Sequence, residues 1–313
     1  MIAVDENLAP IRARTVAIVG YGNQGRAHAL NLRDSGVEVL VATRDPARAE
    51  ADGFSVRPLA EAAAAADLVA LLTPDESQTA LYTDSLAASM RPGAALLFAH
   101  GLAIRFELIQ PRADLDVVLV APKGPGTALR DSYLAGSGLV SLVAVHQDAS
   151  GKAEAIARAY AAALGSARAG IVATSFAEEC EADLVTEAAV IWGAVPALIR
   201  AGWETLVEAG ISPEVATFEC VAELKLLADL VAARGLAGMR EAISNTAETN
   251  AMLGGPRIVT AETRAEMRRI LAEVRSGAFT RALVEDAAAG YPRLRADRET
   301  AARHPIEAQP NAR

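Results

Sequence analysis

The chain has 313 residues, long enough for two domains and a sizeable core. Its formal net charge is -9 and it has no basic cluster, which argues against a nucleic-acid partner. Its two cysteines have neither the number of a disulfide framework nor the spacing of a zinc site. We expect no membrane span from its apolar runs and no signal peptide in residues 1–14. We therefore expect a cytoplasmic protein.

The first predicted element is a strand–loop–helix unit. The apolar, β-branched run Thr15–Gly20 predicts a buried parallel strand, a helix follows Gly25, and Val37–Thr43 predicts a second strand. Gly20, Gly22 and Gly25 have the spacing G-x-G-x-x-G. In this context the spacing predicts a dinucleotide site, because the glycines permit a tight turn, approach of a pyrophosphate and close helix–strand packing. A purely structural glycine turn is the alternative.

The end of the second strand bears on the choice of cofactor. NAD-binding proteins usually place an acidic residue there for the ribose hydroxyls. Here Thr43 and Arg44 are followed by Asp45, and Arg48 comes three residues later. The two arginines suit a 2′-phosphate and favour NADPH, whereas Asp45 favours NADH. We expect NADPH, with NADH as the alternative and a solvated Arg48 as the plainer interpretation of that residue.

Five further strand-length apolar runs continue the pattern. They are Asp67–Pro74, Ala94–Gly101, Asp116–Gly126, Leu139–Asp148 and, after a helix, a run that ends at Thr174. They predict a Rossmann-like, doubly wound parallel sheet over residues 1–178. Ligands bind at the carboxyl ends of such strands, so His100 and Lys123 are expected to face the same crevice as the glycine loop. A strand-capping histidine and a solvated lysine are the alternatives.

From about residue 175 the strand patterns give way to helical periodicity, which predicts an all-α domain over residues 179–313. A long helix is expected to break around Gly193 or Pro196. Another helix is expected to begin with Ser212 as N-cap and Pro213 at its first position, and to end at Gly235.

Two pairs of acidic residues stand out in this helical half. Asp183 and Glu187 lie four residues apart, as do Glu219 and Glu223, so each pair shares a helix face. Their neighbours are apolar, and carboxylates among apolar residues are costly unless they are paired or bind a cation. Two such helices facing each other suit a pair of Mg²⁺ ions. Ordinary acids on solvated faces are the alternative.

Eight sequence blocks, in order from about Thr15 to about Tyr291, resemble ketol-acid reductoisomerase in its short, class I form. The blocks read GYGNQGRAHALNLRDSGV, FAHG, APKGPG, QDASGKA, EECEADL, FECVAELKL, ISNTAE and GPRIVT. The resemblance implies conversion of acetohydroxy acids to dihydroxy acids in branched-chain amino-acid synthesis, with NADPH and two Mg²⁺ ions. It also implies a knotted helical domain.

The resemblance implies roles for the acids and for a serine. Asp183 corresponds to a ligand that bridges the two metals, with Glu187 beside it. Glu219 and Glu223 correspond to the remaining acids of the metal and substrate site, and Glu219 to a proton relay. Ser244 corresponds to the residue that binds the substrate carboxylate, although a helix-capping hydroxyl is the plainer interpretation.

The resemblance also implies polar groups near the nicotinamide and the metal-bound water, namely His100 and Lys123. The cofactor-binding residues predicted from the glycine loop and the resemblance are Gly20, Tyr21, Gly22, Asn23, Gln24, Gly25, Thr43, Arg44, Arg48 and Gly126. Helical domains of the family pair between subunits. The resemblance therefore implies a homodimer or larger homo-oligomer, in which Glu219, Glu223 and Ser244 reach the site of the other subunit.

Several positions around the implied pocket depart from the family pattern. Leu102–Phe106 stands for Phe-Asn-Ile-His-Tyr, Thr127–Arg130 for His-Thr-Val-Arg, Trp192–Ala194 for Cys-Gly-Gly, and Ala222 for a histidine. The departures leave two other enzymes open, a paralogue that reduces a different 2-keto acid or an imine and a reductase without the isomerase step. A non-enzymatic NADP-binding protein is disfavoured, because the metal acids are retained.

Overall fold

The computed structural model describes residues 7–309. It divides into two compact units, Met1–Cys180 and Glu181–Arg313. The first unit is a Rossmann-like α/β structure and the second is helical, which confirms the predicted fold class. Residues 1–6 of the N-terminal segment and residues 310–313 of the polar tail lie outside the described residues.

Eight short strands form the sheet of the first unit. They are β1 (Thr15–Val19), β2 (Glu38–Ala42), β3 (Ser55–Val56), β4 (Leu68–Leu71), β5 (Ala95–Phe98), β6 (Asp116–Pro122), β7 (Ser141–Gln147) and β8 (Ile171–Ala173).

The strand order is β3-β2-β1-β4-β5-β6-β7-β8. The first six follow the order of dinucleotide-binding sheets. All neighbouring strands are parallel except β6 and β7, so the sheet is mixed where the sequence predicted a wholly parallel one. The two-residue strand β3 was not predicted, because so short a segment carries no periodic pattern.

Helices cover both faces of this sheet. They are α1 (Ala9–Arg12), α2 (Asn23–Asp34), α3 (Ala47–Ala51), α4 (Leu59–Ala65), α5 (Asp75–Leu81), α6 (Ala87–Ser89), α7 (Leu102–Arg105), α8 (Gly126–Leu134) and α9 (Ala153–Ala163), with a π-helical segment π1 (Tyr82–Leu86) and a 3₁₀ turn Ser166–Arg168. The sheet core is divided into one buried cluster on each face, and every residue of β6 is buried.

The registers of the central strands align their carboxyl ends. Val19 of β1 pairs with Leu71 of β4, which pairs with Phe98 of β5. The segments that follow these three strands therefore leave the sheet at one edge. Gly20 and His100 lie in two of these segments, as the sequence predicted.

The second unit is helical, and its first helix α10 (Phe176–Thr186) begins before the division between the units. The other elements are π2 (Glu187–Ile191), α11 (Ala194–Glu208), α12 (Pro213–Thr217), π3 (Phe218–Ala222), α13 (Glu223–Glu241), α14 (Asn245–Ile258), α15 (Ala261–Arg275), α16 (Ala278–Ala288), α17 (Pro292–Ala302) and a 3₁₀ turn Pro305–Ala308.

Several predicted helix boundaries are confirmed. The chain breaks between π2 and α11 at Gly193, and Ser212 caps α12 by accepting a hydrogen bond from the Val215 N–H at 3.3 Å. Gly235 has a φ of 70° and kinks α13, which then continues to Glu241, beyond the predicted end.

The second unit exposes much of its apolar surface. Its few buried apolar side chains within residues 181–309 include Leu184, Trp203 and Val274. The large apolar residues on its surface include Trp192, Leu198, Leu226, Leu236, Met252, Leu253 and Ile258.

One helical run, Phe176–Glu208, is long and apolar enough to cross a membrane by length and composition alone. The sequence predicted a long helix here but no apolar run of membrane-spanning length, and the second expectation differs from this finding. The run contains Asp183 and Glu187 and is interrupted at Gly193. Since carboxylates are costly in lipid and helices of soluble proteins reach the same length and composition, this is weak evidence for a span.

A buried histidine makes the stability of the first unit depend on pH. His28 is fully buried, and its Nδ1 lies 3.0 Å from the hydroxyl of Tyr160. Burial lowers the pKa of His28 from 6.5 to about 3. The folded protein therefore keeps this ring neutral where the unfolded chain protonates it. The stabilisation is complete above the unfolded pKa and is lost as the pH falls toward the folded pKa.

We expect wild-type protein to lose about 2 kcal/mol more unfolding free energy between pH 7.5 and pH 5 than the variant His28→Gln. Urea unfolding of the purified protein at the two pH values measures this difference. The matched control is His146→Gln, since His146 is exposed. The control should keep the wild-type pH dependence, and a His28→Gln variant that also keeps it would contradict the assignment.

Candidate active site

The glycine loop has the geometry that a dinucleotide requires. Gly20 has a φ of 94°, and a Cβ there would lie 2.9 Å from the Leu72 carbonyl oxygen. A Cβ on Gly25 would lie 1.9 Å from the Gly20 carbonyl oxygen, so this glycine lets α2 pack on the strand. Gly22 has no such neighbour within 4 Å. The loop thus combines a tight turn, close packing and room for a pyrophosphate.

A second loop, between β6 and α8, packs against the glycine loop. A Cβ on Gly126 would lie 2.1 Å from the carbonyl oxygen of Asn23, so a side chain has no room. Gln24 Nε2 donates a hydrogen bond to the Gly124 carbonyl oxygen at 2.9 Å. The structure therefore brings together three predicted cofactor residues, Asn23, Gln24 and Gly126.

Buried polar atoms near these loops fit a polar ligand. Three of them, Gln24 Oε1, Thr73 Oγ1 and Gln78 Oε1, have no hydrogen-bond partner among the described residues. Buried polar atoms are rarely left unsatisfied, and a nicotinamide cofactor carries amide and hydroxyl groups that could serve them. The residues present therefore fit a nicotinamide dinucleotide.

The side chain of Tyr21, a predicted cofactor residue, is part of the protein interior instead. Its hydroxyl donates a hydrogen bond to Asp52 Oδ2 at 2.8 Å, and its ring packs edge-on against Phe54. Arg26 also binds both Asp52 oxygens, at 2.6 and 2.9 Å, and these contacts help to lower the pKa of Asp52 to about 2. Only the backbone of Tyr21 is left to face a ligand.

The loop after β2 displays its charged residues to solvent. Arg44, Asp45 and Arg48 are exposed, and Thr43 is half-buried. Asp45 Oδ1 accepts a hydrogen bond from the N–H of Ala47, the first residue of α3, at 3.3 Å. The Asp45 carboxylate is therefore partly engaged by nearby backbone, while Arg44 lies in the loop and Arg48 lies in α3.

A buried carboxylate that sequence analysis missed connects the predicted polar residues. Glu179 of α10 is 1% exposed, and its Oε2 accepts a hydrogen bond from the Gly101 N–H at 2.8 Å. His100 Nδ1 lies 3.2 Å from Glu179 Oε2, and Lys123 Nζ lies 3.4 Å from Oε1. His100 and Lys123, which follow β5 and β6, thus converge on one carboxylate at the edge of the sheet.

Glycine at position 101 allows α10 to approach this edge. A Cβ on Gly101 would lie 2.3 Å from the carbonyl oxygen of Phe176 and 3.1 Å from a Glu179 oxygen. The sequence did contain a signal for Glu179, since it precedes Asp183 by four residues on the same helix and shares its face. The signal was overlooked because the nearby acids Glu178 and Glu181 give this stretch the composition of a solvated helix face.

Electrostatics keep Glu179 ionised. Burial by itself raises the pKa of Glu179, but the contact with His100 and the charges of His100 and Lys123 outweigh it and lower the pKa overall. Burial also lowers the pKa of His100, and contacts with Cys180 and Glu179, together with the charge of Asp75, raise it to about 11. Burial raises the pKa of the Cys180 thiol, so that thiol is neutral at pH 7 and the carboxylates supply the negative charge.

The four predicted metal ligands lie on two segments of the second unit. Asp183 is half-buried on α10, and the other three are exposed: Glu187 begins π2, Glu219 lies in π3 and Glu223 begins α13. Among the described residues, no three of these four acids come within ligand distance of one another. The expectation that the two acidic pairs face each other at a metal site therefore stays a prediction.

The structure places Ser244 at the start of α14, where its hydroxyl accepts a hydrogen bond from the Ala247 N–H at 3.2 Å. This is the helix-capping role that the sequence left open as the plainer interpretation. The cap keeps Ser244 exposed at a fixed position on the helical unit.

Comparison with known proteins identifies close relatives. Residues 10–170 match the model of the NADPH-binding domain of acetohydroxy acid isomeroreductase, and residues 176–311 match that of the C-terminal domain of ketol-acid reductoisomerase. The structure of an NADH-preferring ketol-acid reductoisomerase from an uncultured archaean is 41% identical with a TM-score of 0.94, covering 97% of this chain and 94% of that one.

More distant structures share the fold alone. A putative oxidoreductase from Jannaschia sp. CCS1 is 20% identical with a TM-score of 0.66, over 85% of this chain and 97% of that one. Pyrroline carboxylate reductase from Plasmodium falciparum, solved with NADP bound, is 13% identical with a TM-score of 0.55, over 85% and 97% of the two chains.

Proposed function

This chain belongs to the ketol-acid reductoisomerase family, and we propose that it converts 2-acetolactate-type acetohydroxy acids to 2,3-dihydroxy acids. Members of this family are NAD(P)H-dependent oxidoreductases of branched-chain amino-acid synthesis. The reaction is an alkyl migration followed by reduction of the resulting 2-keto acid. The observation that carries the proposal is the buried Glu179, which gathers His100 and Lys123 at the sheet edge where the glycine loop lies. NADPH oxidation that requires both 2-acetolactate and Mg²⁺ tests it.

The chain's own residues have distinct roles in this proposal. Lys123 places a positive charge where the substrate oxygens gain negative charge during migration and reduction. His100 orients bound water, and Glu179 holds both cationic groups at fixed positions while remaining ionised. Glu219 relays a proton to or from the substrate oxygens, and Ser244 binds the substrate carboxylate.

The metal ligands in this proposal are Asp183, Glu187, Glu219 and Glu223. All four offer carboxylate oxygens, the donor set that Mg²⁺ prefers, so the residues present fit a pair of such ions. Bound Mg²⁺ would lower the pKa of the substrate hydroxyl and polarise its carbonyl group. Asp183 would be among the residues that hold both ions.

The functional unit in this proposal is a cytoplasmic homodimer or larger homo-oligomer. The exposed apolar surface of the second unit supports a second copy of the chain as its partner. Glu219, Glu223 and Ser244 are exposed, so in such an arrangement they can serve the site of the other subunit. Light scattering of the purified protein measures the mass directly, and a monomer would contradict the proposal.

We propose NADPH as the preferred reductant, with Arg44 and Arg48 binding its 2′-phosphate. Arginine suits phosphate geometry, and both residues are exposed, Arg44 in the loop after β2 and Arg48 in α3. The carboxylate of Asp45, by contrast, repels a 2′-phosphate and favours NADH. The 41% identical relative prefers NADH, so the preference of this chain needs its own measurement.

For the variant Arg44→Ala we expect the KM for NADPH to rise about tenfold, because one charge-assisted contact to phosphate is lost. The KM for NADH should stay within about twofold of wild type, which makes NADH the internal control. Steady-state kinetics with each cofactor measures both values. An equal rise for the two cofactors would show that Arg44 does not bind the 2′-phosphate.

A further inference from the structure

Both acidic segments of the second unit coincide with π-helical turns. π2 begins at Glu187, and π3 contains Glu219 and ends directly before Glu223. π-helix accounts for well under 1% of residues in globular proteins, and single π turns occur frequently at functional sites. Three of the four proposed metal ligands therefore lie in or next to a rare backbone conformation.

Packing within one chain accounts for the π turn of the first unit, π1, but not for π2 and π3. In π1, Tyr82 and Leu86 are buried, and the Tyr82 hydroxyl accepts a hydrogen bond from the Arg112 N–H at 2.9 Å. By contrast, π2 has one buried residue, Ala189, and π3 has none. The turns beside the acids are thus formed by largely exposed residues.

Gly193 closes the turn that begins at Glu187. The carbonyl oxygen of Glu187 accepts hydrogen bonds from the N–H groups of Trp192 at 3.0 Å and Gly193 at 2.8 Å. A Cβ on residue 193 would lie 2.0 Å from the carbonyl oxygen of Ala188. Any other residue at position 193 therefore requires the backbone of π2 to move.

The closed turn sets the rotation of α11 relative to Glu187. In α11, Trp203 is buried and its Nε1 donates a hydrogen bond to Thr217 Oγ1 at 2.9 Å. Thr217 directly precedes π3, which carries Glu219. One residue corresponds to a rotation of about 100° on an α-helix. Loss of the extra residue of the π turn would therefore rotate Glu187 by about that angle relative to Trp203 and its contact with Thr217.

We propose that Gly193 is a positioning residue for the divalent-metal site. The turn that it closes fixes the direction of Glu187 relative to α11 and, through the contact between Trp203 and Thr217, relative to the segment that carries Glu219 and Glu223. In the proposed homo-oligomer that segment serves the site of the other subunit, so the same turn sets what each chain presents to both sites. The inference rests on the proposed function, because these acids serve as metal ligands there.

The test compares Gly193→Ala with Gly202→Ala in the full chain. Gly202 lies on the same helix α11, and a Cβ there would make an ordinary 3.5 Å contact with Cys220 Sγ. Binding of Mn²⁺, followed by the paramagnetic resonance signal of the free ion, reports the metal site without any turnover. Fluorescence titration with NADPH reports the first unit.

We expect Gly193→Ala to weaken Mn²⁺ binding by about tenfold or more, as loss of groups that orient metal ligands typically does. NADPH affinity should stay within about twofold, and Gly202→Ala should change neither quantity. Unchanged Mn²⁺ affinity in Gly193→Ala would overturn the inference. Wild-type protein that binds NADPH but no Mn²⁺ would overturn the proposed metal site, and this inference with it.

A second variant separates positioning from folding. Deleting Val190 from Gly193→Ala removes the extra residue of π2, and with it the crowding against Ala188. We expect this double variant to regain thermal stability but not Mn²⁺ binding, since the direction of Glu187 relative to α11 stays altered. Recovery of both properties together would show that Gly193 serves folding only.

Discussion

Glu179→Gln is expected to lower kcat about a hundredfold or more while NADPH affinity stays within about twofold of wild type. The amide keeps the shape of the side chain but loses the charge that His100 and Lys123 share. It also replaces one of the two acceptor oxygens with an NH₂ donor, which would face either the Gly101 N–H or the cationic side chains. Steady-state kinetics with 2-acetolactate and Mg²⁺, together with NADPH fluorescence titration, measures both quantities.

The same substitution should reduce stability. Removing one partner of a buried charged network leaves the others uncompensated, at a cost of about 3 kcal/mol. The matched control is Glu178→Gln, one residue earlier, whose exposed carboxylate accepts a hydrogen bond from Thr174 at 2.8 Å. The control should keep kcat within about twofold. A Glu179→Gln variant with wild-type kcat would show that the reaction does not require the Glu179 carboxylate.

Gly126→Ala is expected to weaken NADPH binding by about tenfold or more. The new methyl group would lie 2.1 Å from the carbonyl oxygen of Asn23 and 2.4 Å from its carbonyl carbon, and backbone atoms cannot yield as a side-chain end can. The loop after β6 must therefore move away from the glycine loop. About 1.4 kcal/mol of lost binding free energy corresponds to the tenfold change. Fluorescence titration with NADPH measures it directly.

Gly124→Ala, two residues earlier on the same loop, is the control. A methyl group there would meet the flexible end of Leu139 at 2.9 Å, and this side chain can rotate away. NADPH affinity should therefore stay within about twofold of wild type. Equal loss of affinity in both variants would attribute the effect to general disturbance of the loop, and unchanged affinity in Gly126→Ala would contradict the contact between the two loops.

The cofactor loop could be predicted from the spacing of its glycines, because each glycine satisfies a different steric requirement. Gly20, Gly22 and Gly25 meet those demands in the structure as a turn, an open position and a packing contact. The strands were predictable for a related reason, since a buried parallel strand is a continuous apolar run. The antiparallel pairing of β7 with β6 was not, because an apolar run does not record its direction in the sheet.

The site was only partly predictable, because its key carboxylate has no distinguishing local pattern. Glu179 stands among acids that resemble a solvated face, and only the tertiary approach of α10 to Gly101 buries it. The π turns were also not predicted. One extra residue shifts the apolar pattern by about 100°, but these helices carry apolar residues on exposed positions, which conceals such a shift. Glu187 and Glu219 were predicted because each belongs to a pair of acids four residues apart. The π-helical backbone that directs their side chains was not predicted.

In the proposed reaction this chain couples metal-dependent isomerisation to reduction. The most direct measurement is NADPH oxidation by wild-type protein with 2-acetolactate, and separately with a simple 2-keto acid, each with and without Mg²⁺ and beside Asp183→Asn. We predict turnover of 2-acetolactate that requires Mg²⁺ and is lost in Asp183→Asn. Reduction of the 2-keto acid without Mg²⁺, and no turnover of 2-acetolactate, would contradict the account and assign a reductase without the isomerase step.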